Sequence, residues 1–191
     1  MIKSLPNEPD MGVARTLDWV AIRSAFPRPP EDGPVTSDIA SLRTVADYQF
    51  GAGAGRALFS PDDDLEVRRS ASGRPRQVLA DDGRLVSYGT HGRFTLGIAG
   101  GRRLLDAFDA PDCRVVVGDE SVPYVGNGAS AMAKFVRGVD PQVRPGDEVA
   151  VVHGERLLAV GRAELSATAM ADCTTGVAVD VREAVGIDEE D

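Results

Sequence analysis

The sequence predicts an α+β protein: a small domain of helices and antiparallel sheet, followed by a β-barrel. Three observations support this. Ile39, Leu42, Val45, Ala46 and Phe50 recur at the spacing of one buried helix face. Four short strand-like runs then follow between residues 65 and 96, separated by turn-forming residues. Beyond residue 113, short alternating strands surround a single predicted helix, which is typical of a small closed barrel.

The first residues predict a helix over 11–26 whose apolar side includes Leu17, Trp19 and Ile22. This face either packs on the following domain or forms an association surface. Pro27 ends the helix, and a proline-rich linker follows. Ser37 is the expected N-cap of the second helix, with Asp38 in its first turn. The predicted divisions are an N-terminal helix and linker (1–37), an α+β domain (38–110), a β-barrel (111–187) and an acidic tail (188–191).

The glycines at 51, 53 and 55 predict a tight turn that ends the second helix and starts a short one over 55–59. As a nucleotide-binding signal this glycine run is poor, because no apolar strand precedes it and no lysine follows it. The strands of this domain are predicted at 65–70, 76–80, 85–88 and 94–96, and a helix at 101–108.

Residues 122–139 are the stretch around which the second domain is predicted to form. They read as a short strand, the turn Gly126-Asn127-Gly128 and a helix with a buried side over 132–139. Free amides at a helix start can receive a phosphate, so the turn is a candidate anion site. The alternative is that the glycines only form a tight turn into a core helix.

The remaining barrel elements have clear local signals. Residues 114–117 and 148–152 read as apolar strands, and residues 144–147 suit a type II turn. A hairpin turn at His153 leads to a strand over 157–165, and the alternating residues 177–185 form the last one.

The charge pattern is strongly acidic and poor in lysine. The net charge is −9, acids number 30, and among 21 basic residues only Lys3 and Lys134 are lysines. Acid-rich, lysine-poor surfaces resemble those of halophilic archaeal proteins. At molar salt the Debye length falls to about 3 Å, so any polyanionic partner would be held by close contacts instead of a long-range field.

Candidate catalytic and metal residues are scarce. The chain has two cysteines, Cys113 and Cys173, and two histidines, His91 and His153, and none forms a ligand pair by spacing. No metal or cofactor is therefore expected; both cysteines are expected to be buried or half-buried, and both histidines to lie in surface turns. Residues 126–131 satisfy G-x-G-x-x-A but lack the βαβ context of a dinucleotide site. No apolar run has the length of a membrane span and no secretory signal is seen, so the expectation is a cytoplasmic protein.

Two stretches resemble a known family. The run VPYVGNGASAMAKFVRGVDPQVRPGDEVAVV, with LLAVGRA and GVAVDVREAVG, resembles a PUA domain, an RNA-binding barrel. The motifs ADYQFGAGAG and SASGRPR resemble the sequence of the domain that precedes PUA in archaeal tRNA-guanine transglycosylases and archaeosine synthases. Ser72 stands where threonine is usual in that family. The resemblance covers residues 38–186, and the catalytic barrel of those enzymes is not part of it.

The resemblance implies a non-catalytic RNA-binding protein for structured tRNA, at the acceptor stem and 3′ end, accessory to tRNA modification. The predicted RNA-binding residues are Tyr124, Gly126, Asn127, Gly128, Ser130, Lys134, Arg68, Arg69, Arg74 and Arg76. Expected partners are RNA, a tRNA-modifying enzyme and a second copy in a homodimer, with no membrane. One alternative is a protein-interaction subunit of a tRNA-modification or ribosome-assembly complex without RNA contact; an enzyme with an unrecognised site is the least favoured.

Overall fold

The computed structural model describes residues 34–186, with side-chain placement from residue 38. The predicted helix over 11–26, the linker before Pro34 and the acidic tail lie outside the described residues. The helices are α1 (Pro34–Phe50), α2 (Ala54–Leu58), α3 (Ile98–Ala107), α4 (Val122–Val125) and α5 (Ala167–Asp172). The strands are β1 (Glu66–Arg69), β2 (Pro75–Ala80), β3 (Gly83–Tyr88), β4 (Phe94–Leu96), β5 (Arg114–Val117), β6 (Ala131–Met132), β7 (Val136–Val139), β8 (Glu148–His153), β9 (Arg156–Ala163) and β10 (Val177–Ala184).

Helix α1 buries the predicted face, since Ile39, Leu42, Ala46 and Phe50 are all in the core. It begins at Pro34, three residues before the expected N-cap, so the prediction of a cap at Ser37 was wrong. Proline suits the first turn of a helix, because its φ is already helical and its missing N–H would have no intrahelical partner there.

The glycine turn after α1 is a close helix–helix turn, as predicted. The Asp47 carboxylate accepts hydrogen bonds from the amides of Gly53 (3.0 Å) and Gly55 (2.7 Å). A Cβ at Gly55 would lie 2.5 Å from the Arg43 carbonyl oxygen, so only glycine lets the two helices approach this closely.

Strands β1 to β4 form an antiparallel sheet in chain order, which confirms the predicted antiparallel sheet. Helix α3 begins at Ile98, three residues before the predicted start. The sequence obscures this start because Gly100 and Gly101 are poor helix formers. Both are needed for packing: a Cβ at Gly101 would lie 2.6 Å from Val160 Cγ1, and one at Gly100 would overlap the Leu85 carbonyl.

The second sheet has the order β6-β10-β9-β8-β5-β7. Its edge strands β6 and β7 are consecutive in the chain and are joined only by the 3₁₀ turn Ala133–Phe135, so the sheet curls into a nearly closed barrel. Strands β5 and β8 are parallel, and the other pairs are antiparallel. The α+β architecture with a terminal barrel is therefore confirmed.

The element assignment within residues 122–139 was wrong. The predicted strand is the short helix α4, and the predicted helix is β6, a 3₁₀ turn and β7. Pairing with β5 decides the outcome, because Val115 lies opposite Val139 and Val117 opposite Val136. The helical spacing of apolar residues coincides here with β-branched valines that suit a strand.

One hydrophobic core extends from the first sheet to the outer side of the barrel. Ala150 and Val152 on β8, and Leu157 and Val160 on β9, pack in the same cluster as α1, α3 and the first sheet. The alternating residues Val149 and Val151 of β8 point into the barrel interior. Strand β8 is therefore buried on both faces.

A network of charged side chains also joins the first sheet to the barrel. The Glu148 side chain is only 5% exposed and accepts hydrogen bonds from the Leu96 amide (3.1 Å) and from Arg182 Nη1 (2.8 Å). Nearby, Glu183 pairs with Arg84 of β3. Burial raises the pKa of Glu148, and the positive charge of Arg182 partly opposes that rise.

The two cysteines differ in environment. Cys113 is half-buried, and burial together with the Asp140 carboxylate raises the pKa of its thiol to about 12. Cys173 is exposed, contrary to the expectation of burial. Within residues 34–186, no cluster of potential ligands could hold a metal ion, and no helix is both long and apolar enough to cross a membrane.

Candidate nucleic-acid interface

Helix α4 presents an aromatic side chain at one end of the barrel. Val125 is buried, whereas Tyr124 remains 66% exposed. The amide of Gly186 donates to the Gly126 carbonyl (2.9 Å), so the chain after β10 and its exposed Val185 lie beside this helix. The Tyr124 ring is therefore exposed while the helix that carries it is anchored by packing, which is the arrangement that a residue stacking on a nucleobase requires.

The glycine turn does not act as the expected amide cradle. The amides of Gly126, Asn127, Gly128 and Ala129 all donate to carbonyls of residues 122–125, at 2.9–3.2 Å. They are therefore not available to a phosphate, and no helix follows the turn to contribute a dipole. Gly128 has φ 97° with open space around it, so this glycine is needed for the turn itself.

The other two residues predicted in this region differ in accessibility. Ser130 is half-buried and its hydroxyl donates to Asp180 Oδ1 (3.3 Å). Lys134 is exposed on the 3₁₀ turn Ala133–Phe135, not on a helix, and its Nζ lies 4.6 Å from the Phe135 ring centroid. Among the described residues Lys134 has no acidic partner, so its charge faces solvent.

An open pocket of about 530 Å³ lies next to these residues. Its lining comes from β5, the 3₁₀ turn Asp119–Ser121, β7 and the β8–β9 hairpin. Arg137 Nη2 pairs with Glu120 Oε1 (2.9 Å), and its Nη1 donates to the Lys134 carbonyl (3.1 Å). A Cβ at Gly118 would lie 2.5 Å from Glu120 Oε2, so the absence of a side chain leaves room for this ion pair.

His153 contributes an imidazole ring to the pocket, with one acceptor facing each ring nitrogen. Its Nδ1 lies 3.0 Å from the Val117 carbonyl oxygen and its Nε2 lies 3.0 Å from Asp119 Oδ1. A carbonyl and an ionised carboxylate can only accept, so both contacts are hydrogen bonds only when both ring nitrogens carry a proton. Sequence reasoning missed this pocket because residues 118, 137 and 153 are far apart along the chain and share no spacing signal.

The four arginines of the β1–β2 hairpin are not equivalent. Arg68 pairs with Glu66 (2.8 Å) on the same strand. Arg69 pairs with Asp38 of α1 and also donates to the Gly73 carbonyl (3.1 Å). Arg74 and Arg76 are exposed, and neither side chain has a hydrogen-bond or ion-pair partner within residues 34–186. The free charge of this hairpin therefore comes from Arg74 and Arg76.

The barrel arginines, which sequence alone could not place on a common face, have mainly structural partners. Arg114 donates to the carbonyls of Leu105 and Phe108 at the end of α3, and Arg162 pairs with Glu164 (2.6 Å).

Both halves of the described chain match known protein families. Residues 40–111 match the patch-forming domain C2 of tRNA-guanine transglycosylase, and residues 113–185 match the PUA domain. The tRNA-guanine(15) transglycosylase of Pyrococcus furiosus is 41% identical over 146 residues, covering 75% of this chain and 24% of that protein. The enzyme of Methanothermobacter thermautotrophicus is 40% identical, covering 76% and 22%. The chain thus spans about a quarter of the length of these relatives.

Two solved structures share most of the fold. A hypothetical protein of Pyrococcus horikoshii is similar with a TM-score of 0.62 and 26% identity, covering 78% of this chain and 90% of that one. A conserved PUA domain protein of Thermoplasma acidophilum has a TM-score of 0.55 at 19% identity, which shows the fold alone. The matched models are the C2 and PUA domains, so the catalytic domain of the transglycosylases is not in the matched region.

Proposed function

Because residues 40–185 are a C2 domain followed by a PUA domain, homologous to the C-terminal part of archaeal tRNA-guanine transglycosylases, we propose that this chain is a non-catalytic RNA-binding protein. The RNA is structured tRNA, bound at its acceptor stem and 3′ end, and the role is accessory to tRNA modification in the cytoplasm. The observation that carries the proposal is Tyr124, which is 66% exposed on the packed helix α4 of a barrel that also leaves the charge of Lys134 facing solvent.

The physical basis is short-range contact. With a net charge of −9 the protein has no general attraction for a polyanion. Stacking on Tyr124 does not depend on charge, and Lys134 needs to reach only one phosphate. The solvent-facing parts of Gly126, Asn127, Gly128 and Ser130 would contribute shape and hydrogen bonds from side chains, in place of the amide contacts that the fold excludes.

The β1–β2 hairpin would supply the second contact. Of the four arginines predicted to bind RNA in this hairpin, Arg74 and Arg76 need no rearrangement to contact a phosphate. Arg69 already holds α1 through Asp38, and Arg68 would have to leave Glu66. We therefore assign direct RNA contact to Arg74 and Arg76, and assign support of the hairpin to Arg68 and Arg69.

Binding of a tRNA acceptor-stem duplex with a free 3′ end tests the proposal. Tyr124→Ala should weaken binding by about tenfold, because stacking contributes about 1–3 kcal/mol per base. Tyr48→Ala is the matched control: Tyr48 is 93% exposed but lies on α1. Equal binding by the parent and Tyr124→Ala proteins would contradict the stacking role.

Charge contacts are tested separately. Lys134→Ala should weaken binding about equally across RNA sequences and lower the salt slope by roughly one. Arg74→Gln with Arg76→Gln should weaken binding without lowering the melting temperature, whereas Arg102→Gln on α3 serves as the exposed-arginine control. Unchanged binding after the paired substitution would show that Arg74 and Arg76 are exposed to solvent and do not contact the RNA.

A second function is favoured by Tyr48. A tyrosine this exposed on a helix suits a protein-docking anchor. In that case the chain would be an interaction subunit that binds a tRNA-modifying enzyme, with no RNA contact. Loss of enzyme association in Tyr48→Ala, together with no RNA binding by the parent, would favour this second function.

A further inference from the structure

The pocket beside Lys134 contains two side chains with nitrogen donors whose partners are surface carboxylates. Arg137 is held by Glu120, and Nε2 of His153 lies 3.0 Å from Asp119 Oδ1. Surface ion pairs of this kind are weak, contributing about 0–1 kcal/mol. The Asp119 side chain is 93% exposed, so it can move away from His153 without disturbing any packing.

The donors that such a movement would release converge on the pocket. His153 stays fixed by its bond to the Val117 carbonyl while its Nε2–H becomes free. Arg137 stays fixed by its bond to the Lys134 carbonyl while Nη2 becomes free. An imidazolium and a guanidinium aimed at one cavity are the donor set that recognises a phosphate.

We propose that this pocket binds a phosphate group, in which His153 and Arg137 exchange the carboxylates of Asp119 and Glu120 for phosphate oxygens. The inference rests in part on the proposed RNA-binding function, which supplies the phosphate. The 3₁₀ turn Asp119–Ser121 continues directly into α4, and five residues at 1.5–2.0 Å each separate Asp119 from Tyr124 by about 8–10 Å. A base on Tyr124 and a phosphate in the pocket therefore belong to the same short segment of one RNA strand.

The pocket makes RNA binding dependent on pH, because the contact needs the protonated form of His153. Histidines lose their proton between about pH 5 and pH 8, so binding should strengthen as the pH falls through that range. The charged groups that line or flank the ring are Asp119, Glu120, Arg137, Glu155 and Arg156.

The test measures acceptor-stem RNA binding at about pH 6 and about pH 8. For the parent, affinity should rise by about tenfold towards the lower pH, the effect of one charge-assisted hydrogen bond. His153→Gln should lose that rise while retaining binding through Tyr124. His91→Gln, at the other histidine, should behave as the parent does. A His153→Gln protein that keeps the full pH dependence would overturn the pocket and leave the RNA-binding function intact.

The carboxylates that compete with phosphate for Arg137 and His153 provide an independent test. Glu120→Gln frees Arg137, so it should tighten RNA binding by about threefold at either pH. Glu155→Gln removes an exposed acid from the neighbouring hairpin and controls for the general loss of negative charge. Equal effects of the two substitutions would contradict competition at Arg137.

Inorganic phosphate separates this inference from the proposed function. The ring resonances of His153, followed by NMR, should shift on titration with phosphate, and those of His91 should not. If the parent binds no RNA but the His153 signal shifts, the pocket takes phosphate from another source, such as a free nucleotide, and the RNA function fails. No selective shift of His153, with or without RNA binding, would overturn the pocket.

Discussion

The buried carboxylate of Glu148 is the most informative single position for the stability of the fold. It accepts the Leu96 amide from β4 and the Arg182 guanidinium from β10, so it joins the first sheet to the barrel. Replacing it with alanine leaves the amide of Leu96, a residue that is 1% exposed, without an acceptor. Glutamine keeps an oxygen for that amide and removes only the ionic partner of Arg182.

The two substitutions should therefore differ in cost. An unsatisfied buried donor costs about 1–3 kcal/mol, so Glu148→Ala should lose about 2 kcal/mol. For a protein of this size that corresponds to a melting temperature lower by about 4–8 °C. Glu148→Gln should stay within about 1 kcal/mol of the parent, because Arg182 is 33% exposed and can turn to water.

The pH dependence follows from the raised pKa of Glu148. A carboxyl whose pKa is higher in the folded state binds its proton more tightly there than in the unfolded chain. Its contribution to stability is fully present below the ordinary value of 4.5 and is lost as the pH rises through the raised value. The disadvantage of Glu148→Gln relative to the parent should therefore shrink as the pH rises from the ordinary value of 4.5 through the raised pKa.

Urea unfolding of the three proteins at several pH values measures these differences. The explanation would be refuted by equal stabilities of the alanine and glutamine variants, or by a glutamine deficit that grows with pH. Unchanged m values are required, since a changed m would indicate that the two-state comparison had failed.

Four other outcomes are expected. Gly100→Ala should prevent or strongly weaken folding, because its Cβ would overlap the Leu85 carbonyl; soluble yield and circular dichroism would show this, and a stable variant would contradict the packing. Gly128→Ala should cost only about 1 kcal/mol, since space is open there and only the positive φ is unfavourable; a loss above about 3 kcal/mol in thermal unfolding would argue against this. In the native protein a thiol reagent should label Cys173 rapidly and Cys113 slowly, because the pKa of the Cys113 thiol is about 12; equal rates would be inconsistent with its burial. The melting temperature should rise from about 0.1 M to about 2 M KCl if the acidic surface is a halophilic adaptation, and a flat or falling value would end that interpretation.

Elements with strong local signals were predicted correctly from the sequence. The helix face of α1 and the first sheet follow from periodicity and turn residues. The type II turn before β8 is confirmed by Gly146 at φ 91° and by the bond from the Asp147 amide to the Arg144 carbonyl (3.1 Å). The resemblance to C2 and PUA domains, read from short sequence words, is confirmed by the family matches.

The errors occurred where distant pairing decides the structure. Val136 and Val139 satisfy both a helical and an extended pattern, and only β5, some twenty residues earlier in the chain, selects the strand. The amide cradle failed for the same reason, since it depended on a helix that the barrel does not form. The pocket with Arg137 and His153 has no local signal at all, because its donors meet only when β7 and the β8–β9 hairpin are assembled.

The burial of β8 on both faces has a consequence for whether the two domains could exist apart. A barrel separated from the C2 domain would expose Ala150, Val152, Leu157 and Val160 to water. Each larger aliphatic side chain contributes about 1.5–3 kcal/mol when buried, so three of them approach the whole stability of an ordinary domain. A gene fragment that encoded either domain alone would therefore yield a poorly folded, aggregation-prone protein. The 146 residues that match the Pyrococcus furiosus tRNA-guanine(15) transglycosylase are enough to include both domains, so that relative holds the two halves together.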